Sequence, residues 1–295
     1  MRSNFAMKPN GEVVVICDDL VKRYSAAGSL IEAKQVYSGG HEHNTLSNIP
    51  PTYPEGIAID KNGNVYGHET YNPKWYYEDR LFLIQDGTEE PGWILARDDP
   101  RYPVIPCDPY GIDACHAFSG VFLLDRYDDK VCRISPSGSE MWLKTADELG
   151  LSDIGLDPRV GPNGVLVSVS AGMYYGYNIA CLDPGTGALK WTTNESFNDV
   201  LCWGMNGNAY ALKDTWDSDV VLEYAPDGTF IREIDLSDSY PDINIQDFKV
   251  DRIGNIYVEH SREKIIMFDS SGVLGWETPV DYTVNFSNGA NLYLK

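Results

Sequence analysis

A short turn motif recurs along the chain and limits the possible folds more than any other feature of the sequence. Its fullest copy, Asp183–Gly187, combines proline and glycine in a tight-turn sequence, and Trp191 follows four residues after the last glycine. The same glycine-to-tryptophan spacing recurs at Gly138–Trp142 and Gly272–Trp276. Three further copies keep the turn and lose the tryptophan, around Gly28, Gly87 and Gly228. These related turns predict a repeat architecture.

A second repeated element, a short apolar strand opened by a glycine, precedes each turn. Two clear copies are Gly63-Asn64-Val65-Tyr66 and Gly254-Asn255-Ile256-Tyr257. Asn and Gly before a β-branched residue are typical of a hairpin turn. The chain contains seven such openings, and the first six are each followed by one of the turn glycines. Each unit therefore reads as four antiparallel strands, which we call a, b, c and d.

Repeated four-stranded antiparallel units of about 40–50 residues are typical of β-propeller blades. In the second unit the predicted strands are Gly56–Asp60, Asn64–His68, Arg80–Ile84 and Trp93–Ala96. One blade cannot bury both of its faces alone, so blades pack side by side. We expect the tryptophans at the start of strand d to fill the wedge between neighbouring blades. The predicted fold is a single all-β propeller domain over residues 1–295.

The number of blades depends on the end of the chain. Six complete units are followed by a half-unit, residues 282–295, which supplies strands a and b only. We prefer seven blades over six because seven b-type strands can be counted. The alternative is that the C-terminal hairpin replaces or extends strands of the first blade.

Two of these motifs resemble known propeller repeats. The stretch Gly56–Tyr66 resembles the NHL type of repeat, and Asp183–Trp191 is similar to the tryptophan-docking motif of PQQ-like propellers. The resemblance implies a propeller fold, and such folds host many functions. Quinoprotein dehydrogenases that resemble the motif typically carry adjacent cysteines near the cofactor. None of the six cysteines here is adjacent to another, so we expect no PQQ.

The net charge of −21 excludes some classes of partner. Such a charge repels the phosphates of nucleic acids and of anionic membranes, so we expect neither as a partner. No apolar leader segment and no run of membrane-spanning length is present in the sequence. We therefore predict a location in the cytoplasm or within an assembled particle, such as a phage virion.

Three polar residues occupy positions where apolar ones are expected, and they form the predicted metal site. His68, Asp125 and Glu259 each lie five residues after the glycine of a b strand, so their side chains share one direction. If these strand ends converge, the three side chains suit Ca²⁺, Mg²⁺ or acid/base chemistry. The alternative is that they are polar groups paired at wet blade edges. Further metal or nucleophile candidates are His41 with His43, Cys115 with His116, and the carboxylates of Asp125–Asp129 and Asp214–Asp219.

Aromatic residues cluster in the connection between strands b and c of several units. The predicted binding residues are Trp75, Tyr76, Tyr175, Tyr177 and Trp216. Because they occupy the same connection of each unit, we expect them to share one face. Exposed aromatics supply contact area for a protein or carbohydrate partner at low entropic cost. The alternative is that they fold back onto the blade rim.

These observations favour a non-catalytic binding or assembly module without a cofactor. The sequence has no phosphate-binding glycine loop, no Gly-x-Ser-x-Gly elbow and no His-Glu-x-x-His motif, which leans against an enzyme. The alternative function is a metal-dependent hydrolase or lyase that acts at His68, Asp125 and Glu259. Metal content distinguishes the two.

Overall fold

A computed structural model covers the chain. It describes residues 5–8, 12–17, 20–25, 27, 29–35, 54–71, 78–84, 92–96, 103–106, 111–115, 117–125, 127–155, 158–170, 177–195, 197–213, 219–261 and 264–279. Several predicted features lie outside these residues: the half-unit 282–295, His41, His43, Trp75, Tyr76, His116, Tyr175 and Trp216.

The described chain is all-β and forms six four-stranded antiparallel blades, which confirms the predicted β-propeller class. Strands follow one another in chain order within each blade. The described residues contain six blades rather than the preferred seven, and the half-unit on which a seventh depends lies outside them. The chain divides into two compact units, of which the first ends at Glu148 and the second begins at Leu149. That residues 1–295 form one domain stays a prediction.

The first unit contains blades 1 to 3. Blade 1 has β1 (Phe5–Met7), β2 (Val13–Cys17), β3 (Leu20–Tyr24) and β4 (Leu30–Gln35). Blade 2 has β5 (Pro54–Ile59), β6 (Val65–Tyr71), β7 (Glu78–Ile84) and β8 (Ile94–Ala96). Blade 3 has β9 (Gly111–Asp113), β10 (Val121–Asp125), β11 (Lys130–Ile134) and β12 (Glu140–Thr145). The short helix α1 (Ala146–Leu149) follows.

The second unit contains blades 4 to 6. Blade 4 has β13 (Arg159–Gly161), β14 (Gly164–Ser170), β15 (Tyr177–Leu182) and β16 (Leu189–Thr192). Blade 5 has β17 (Phe197–Trp203), β18 (Ala209–Lys213), β19 (Val220–Tyr224) and β20 (Phe230–Asp235). Blade 6 has β21 (Ile245–Val250), β22 (Ile256–His260), β23 (Lys264–Phe268) and β24 (Leu274–Pro279). A pairing of Tyr177 with Phe197 links blades 4 and 5 into one sheet.

An aspartate organises the turn between strands a and b of blade 2. Asp60 Oδ1 accepts the backbone N–H groups of Asn62 and Asn64, at 2.9 and 3.0 Å. Asp60 Oδ2 accepts the Tyr66 hydroxyl at 3.0 Å. Gly63 adopts φ of 79°, which favours glycine. The motif Asp-x-x-Gly-Asn-x-Tyr thus encodes a hairpin held by one carboxylate, because Asp side chains readily bond the backbone that follows.

Burial separates the middle strands of a blade from the outer one. All five residues of β10 and all five of β19 are buried. The outer strands β12, β16 and β20 are more exposed, and every residue of β24 is exposed. Strands buried on both faces read as continuous apolar runs, which explains why the b strands were visible in the sequence.

Candidate functional site

Two tryptophans fasten neighbouring blades together. Trp93 Nε1 donates to the Pro136 carbonyl, and Trp191 Nε1 donates to the Pro226 carbonyl, each at 2.9 Å. In both cases the acceptor lies in the turn between strands c and d of the next blade. The expected role of strand-d tryptophans in inter-blade packing is therefore confirmed at these two seams, which we call the docking seams.

The glycine of each receiving turn is required by the indole that lies on it. A Cβ atom added to Gly138 would lie 3.1 Å from the Trp93 ring, and one added to Gly228 would lie 2.7 Å from Trp191. These glycines also adopt φ of 81° and 85°. A side chain at either position would therefore meet backbone strain, together with a tight contact at Gly138 and a steric clash at Gly228.

The glycine-to-tryptophan spacing does not identify one of the two docking residues, Trp93. The glycine-to-tryptophan spacing assigns no tryptophan to the turn around Gly87, yet Trp93 docks on the next blade as Trp191 does. The sequence does indicate Trp93 by its position, because it is the first residue of the predicted strand d. Position relative to the strand therefore matters more than the offset from the glycine.

The three tryptophans with the common spacing have different surroundings. Trp142 is 7% exposed and packs against Phe122, with ring centroids 5.9 Å apart. Trp191 is half-buried in its docking seam. Trp276 is 43% exposed and meets the edge of Tyr257 at 6.0 Å. The same spacing from the turn glycine therefore places the three tryptophans at the same point of strand d, but their side chains differ in burial.

Two residues of the predicted metal site lie in the first unit, and both are buried. His68 lies in β6 and is fully buried. Asp125 ends β10, and its Oδ1 accepts the backbone N–H groups of Tyr127 and Asp128, each at 3.0 Å. Burial raises the pKa of Asp125, although the two backbone hydrogen bonds oppose the rise. Asp125 thus organises its b–c turn.

If Asp125 is a polar group paired at a blade edge, Arg126 and Lys130 are the cations nearest to it in the sequence. Lys130 Nζ instead lies 2.7 Å from Asp128. Arg126 lies outside the described residues. Asp125 and Asp128 therefore each have a defined structural contact.

Glu259, the third predicted metal ligand, belongs to the second unit. It is 7% exposed in β22, where its Cα pairs with that of Asp247. Asp247 in turn pairs with Lys249 at 3.2 Å. Across the residues that the structure describes, no three His, Cys, Asp or Glu side chains are grouped so as to hold a metal ion. A divalent cation at His68, Asp125 and Glu259 stays a prediction.

Cys115 is a poor nucleophile in this structure. Its thiol is half-buried, and burial raises its pKa to about 11. Cys181 and Cys202 are free buried thiols whose pKa values burial raises to about 12. These raised pKa values keep the three thiols protonated at neutral pH, which disfavours nucleophilic chemistry.

A polar cluster at one end of blade 6 was not anticipated from the sequence. His260 Nδ1 accepts the Asn244 backbone N–H at 2.9 Å, which leaves the proton of a neutral ring on Nε2. The Tyr240 ring meets His260 edge-on at 5.6 Å, and its hydroxyl donates to Glu277 at 3.0 Å. Glu277 also accepts from Lys264, and this hydrogen bond raises the pKa of Lys264. Tyr240, Lys264 and Glu277 thus form one hydrogen-bonded group on blade 6.

The aromatic loops are placed by the strands that flank them. Residues 72–77, 171–176 and 214–219 connect strand b to strand c in blades 2, 4 and 5. Of the five predicted binding residues, Tyr177 alone is described, and it packs against Phe197 with centroids 6.2 Å apart. Tyr177 is the first residue of β15, and its role in a binding face stays a prediction.

One aromatic residue of a b–c turn escaped the sequence analysis. Tyr127 lies between β10 and β11 of blade 3 and is 77% exposed. A single tyrosine among the charged residues of Asp125–Lys130 gives little sequence signal. It places an exposed aromatic ring in the same connection that carries aromatics in blades 2, 4 and 5.

Solved structures share the fold at low sequence identity. A chain of the Mitotic Checkpoint Complex matches with a TM-score of 0.63 and 11% identity, over 95% of this chain and 80% of that one. BamB from Moraxella catarrhalis matches with a TM-score of 0.52 and 12% identity, over 94% and 87%. Hydrazine synthase from Kuenenia stuttgartiensis gives 0.62 and 10%, over 90% and 76%. These likenesses establish a propeller fold.

The sequence itself matches no protein-family model and no curated protein. Within the described residues, no helix has the length and apolar character needed to cross a lipid bilayer. Conclusions about activity therefore depend on the site residues.

Proposed function

We propose that this protein is a non-catalytic binding or assembly module whose b–c loops present aromatic side chains to a protein partner. The observation that carries this proposal is Tyr127, which is 77% exposed in the b–c turn of blade 3. The corresponding connections of blades 2, 4 and 5 carry Trp75, Tyr175 and Trp216. Aromatic residues are enriched at protein interfaces because one large rigid ring provides much contact area.

The fold comparisons support a protein partner by analogy. One similar chain belongs to the Mitotic Checkpoint Complex, a multi-protein assembly. Propellers host many functions, so the analogy favours the class of partner without naming it. A carbohydrate partner is the alternative ligand for the same aromatic face. Membership of a larger particle, such as a virion, is a form of the assembly role.

The repeat class is also part of this proposal. The contacts of Asp60 with Asn62, Asn64 and Tyr66 favour an NHL-like repeat. The hydrogen bond from Trp191 to Pro226 favours a PQQ-like docking motif. The chain combines both signatures and lacks adjacent cysteines.

The test compares the wild type with a Trp75→Ala/Tyr127→Ala/Trp216→Ala variant. Both are used to select binders from a displayed library of folded domains and peptides, and both are applied to a glycan array. We expect selected domains to bind the wild type at least about tenfold more tightly than the variant, since each lost anchor removes about 1–2 kcal/mol. Ile253→Ser, a change at a 76% exposed a–b turn position of blade 6, is the matched control.

Thermal unfolding distinguishes binding from packing. Equal midpoints for wild type and triple variant support surface roles. A large drop in the midpoint would identify these residues as core and contradict the proposal. Binding of glycans alone would replace the protein partner with a carbohydrate.

The alternative function, a metal-dependent enzyme, is tested by measuring bound metal. The hydrolase or lyase prediction requires a divalent cation near His68, Asp125 and Glu259. Elemental analysis of the purified protein, with an Asp125→Asn variant as control, tests it. Stoichiometric metal that disappears in the variant would favour the enzyme over the binding module.

A further inference from the structure

Two hydrogen bonds fasten the connection between blades 5 and 6 to the end of strand β22. The Asn244 N–H donates to His260 Nδ1 at 2.9 Å, and the Ser261 N–H donates to the Asn244 carbonyl at 3.1 Å. In the first bond an imidazole nitrogen takes the place of the backbone carbonyl that a strand ladder ordinarily uses. We call this pair of bonds the His260 latch. It joins the last residue of the connection, which runs from 236 to 244, to the end of β22.

The latch holds a strained residue in place, whereas the core holds the connection itself. Ser261 adopts φ of 50°, a left-handed conformation that is uncommon for residues other than glycine. Leu236 and Ile243, near the two ends of the connection, are buried in the apolar core of the second unit. Loss of the latch bonds therefore allows Ser261 to leave its strained conformation while the core stays packed.

The first bond of the latch requires a neutral histidine ring. A ring nitrogen accepts a hydrogen bond only when it carries no proton, and an imidazolium has an N–H on both nitrogens. Proton uptake by His260 therefore places two donors, its own Nδ1–H and the Asn244 N–H, against each other. Imidazole side chains ordinarily titrate between about pH 5 and 8. Because the closed latch needs the unprotonated ring, a falling pH favours the open state.

The charges around His260 also favour the protonated ring. The ionisable groups that face it from neighbouring elements are Asp219 before β19, Tyr240 in the connection, Lys264 on β23 and Glu277 on β24. Hydrogen bonds from Lys264 and Tyr240 lower the pKa of Glu277, which keeps this carboxylate ionised where imidazole titrates. Burial raises the pKa of Asp219, and the Asp235 carboxylate adds to the rise. Lys264 opposes the attraction, but it is paired with Glu277 at 3.1 Å.

We propose that the His260 latch is a pH-sensitive device that is closed at neutral pH and opens when the His260 ring takes up a proton. Opening breaks the bond from the Asn244 N–H and loosens the Ser261 turn. The connection adjoins the b–c loop of blade 5, because the Leu236 N–H donates to the Asp219 carbonyl at 3.1 Å. If that loop binds a partner, acid weakens the binding, and this last step alone rests on the proposed function.

The test follows the ring and the backbone of the full chain in one NMR titration between about pH 5 and 8. The nitrogen resonances of the His260 ring are assigned by their absence in His260→Asn. We expect a neutral ring with its proton on Nε2 at the upper end of the titration. We expect the amide exchange rates of Asn244 and Ser261, each divided by the intrinsic rate at the same pH, to rise at least about fivefold as the ring is protonated.

Three variants of the full chain separate the latch from other sources of pH dependence. His260→Asn is the matched control, because its side-chain oxygen takes the place of Nδ1 as an acceptor and does not titrate. We expect its Asn244 amide to stay protected at every pH. Glu277→Gln removes a carboxylate that attracts the protonated ring, so the transition is expected at a lower pH. Asp219→Asn removes the other carboxylate, and we expect the transition to persist.

Three outcomes would overturn the proposal. One is a His260 ring that titrates while the normalised exchange of Asn244 stays constant, which would make the histidine a structural residue only. Another is pH-dependent exchange that survives in His260→Asn. A third is its disappearance in Asp219→Asn, which would identify Asp219 as the titrating group. None of these measurements uses a partner, so the latch and the proposed function fail separately.

Discussion

In blades 2 and 5 a carboxylate accepts hydrogen bonds from an asparagine and a tyrosine of strand b, but the carboxylate comes from a different part of each blade. In blade 2 the carboxylate of Asp60 accepts the Asn64 side-chain amide and the Tyr66 hydroxyl, each at 3.0 Å. In blade 5 the equivalent of Asp60 is Gly204. Glu223, from strand c, accepts the equivalent groups of Asn208 and Tyr210 at 2.7 and 2.6 Å. The conserved requirement within the chain is a buried acceptor for these donors.

The use of Glu223 in place of an aspartate at position 204 has a steric consequence. A Cβ atom at Gly204 would lie 2.5 Å from Asn206 Oδ1 and 2.6 Å from the Tyr210 ring. The strand-c arrangement therefore excludes the side chain that blade 2 uses. Glu223 also receives Arg232 Nε at 2.6 Å. Burial raises the pKa of Glu223, but the hydrogen bonds from Tyr210, Arg232 and Asn208 outweigh it and lower the pKa below its ordinary value.

The largest effect is expected from removing the carboxylate of blade 2. Asp60→Ala leaves five donors without an acceptor, including the Gly120 N–H of blade 3 at 2.7 Å. We expect the free energy of unfolding to fall by about 3–5 kcal/mol. Asp251→Ala is the control, because Asp251 has no described cross-blade bond and is only partly buried. Urea unfolding followed by circular dichroism measures both, and equal losses would refute the cross-blade contribution.

The docking seam predicts a difference between two glycines with similar φ. Gly228→Ala meets the Trp191 ring at 2.7 Å, whereas Gly63→Ala meets nothing within 4 Å. Both pay about 1 kcal/mol for the left-handed backbone. We expect Gly228→Ala to cost about 2–3 kcal/mol in total, because it also overpacks the seam. Indistinguishable unfolding midpoints for the two variants would show that the Trp191 ring shifts to accommodate the methyl group without loss of stability.

Two substitutions in blade 5 test the comparison by moving its carboxylate from Glu223 to position 204, which corresponds to Asp60 of blade 2. Glu223→Gln keeps the shape and loses the charge that Arg232 needs, at an expected cost of about 1–2 kcal/mol. Gly204→Asp restores a carboxylate in the blade 2 position. Because its Cβ clashes with Tyr210, the double variant is expected to be less stable than Glu223→Gln alone. Recovery of stability in the double variant would contradict the steric argument.

The smallest expected effect is a pair of opposite pH dependences. The pKa of Glu223 is lowered from 4.5, so its ionised form stabilises the fold above that value, and the gain is lost as the pH falls through the folded-state pKa. The pKa of Asp125 is raised from 3.8, so its contribution is present below that value and is lost as the pH rises through the folded-state pKa. Stability differences between wild type and Glu223→Gln or Asp125→Asn, measured from pH 3 to 7, should have opposite slopes. Parallel slopes would exclude these assignments.

Local chemistry made much of the fold predictable. Glycines with positive φ and the aspartate that follows strand a act over a few residues, so Asp60, Gly63 and Gly254 could be read from the sequence. Glu223 could not, because its partner Tyr210 is brought to it by strand register rather than by spacing. The position of Trp93 at the start of strand d was predictable, but its acceptor Pro136 was not, since that residue belongs to another blade.

The candidate sites were less predictable than the fold. Side-chain alternation along a strand predicts that His68, Asp125 and Glu259 share one direction, and the structure adds that all three are buried. Alternation contains no information on whether separate strand ends converge. Tyr127 illustrates the opposite failure, because its exposure follows from the turn that Asp125 holds rather than from its own neighbours in the sequence.

The repeated bond from an indole to a proline carbonyl has an evolutionary consequence. Each docking seam takes its donor from one blade and its acceptor from the next, so a duplicated gene segment that encodes both groups would produce a blade able to dock on its parent. Such a chain can lengthen by recombination without inventing new contacts. Later divergence, as at Gly204 and Glu223, then has to proceed through paired substitutions that keep the join intact.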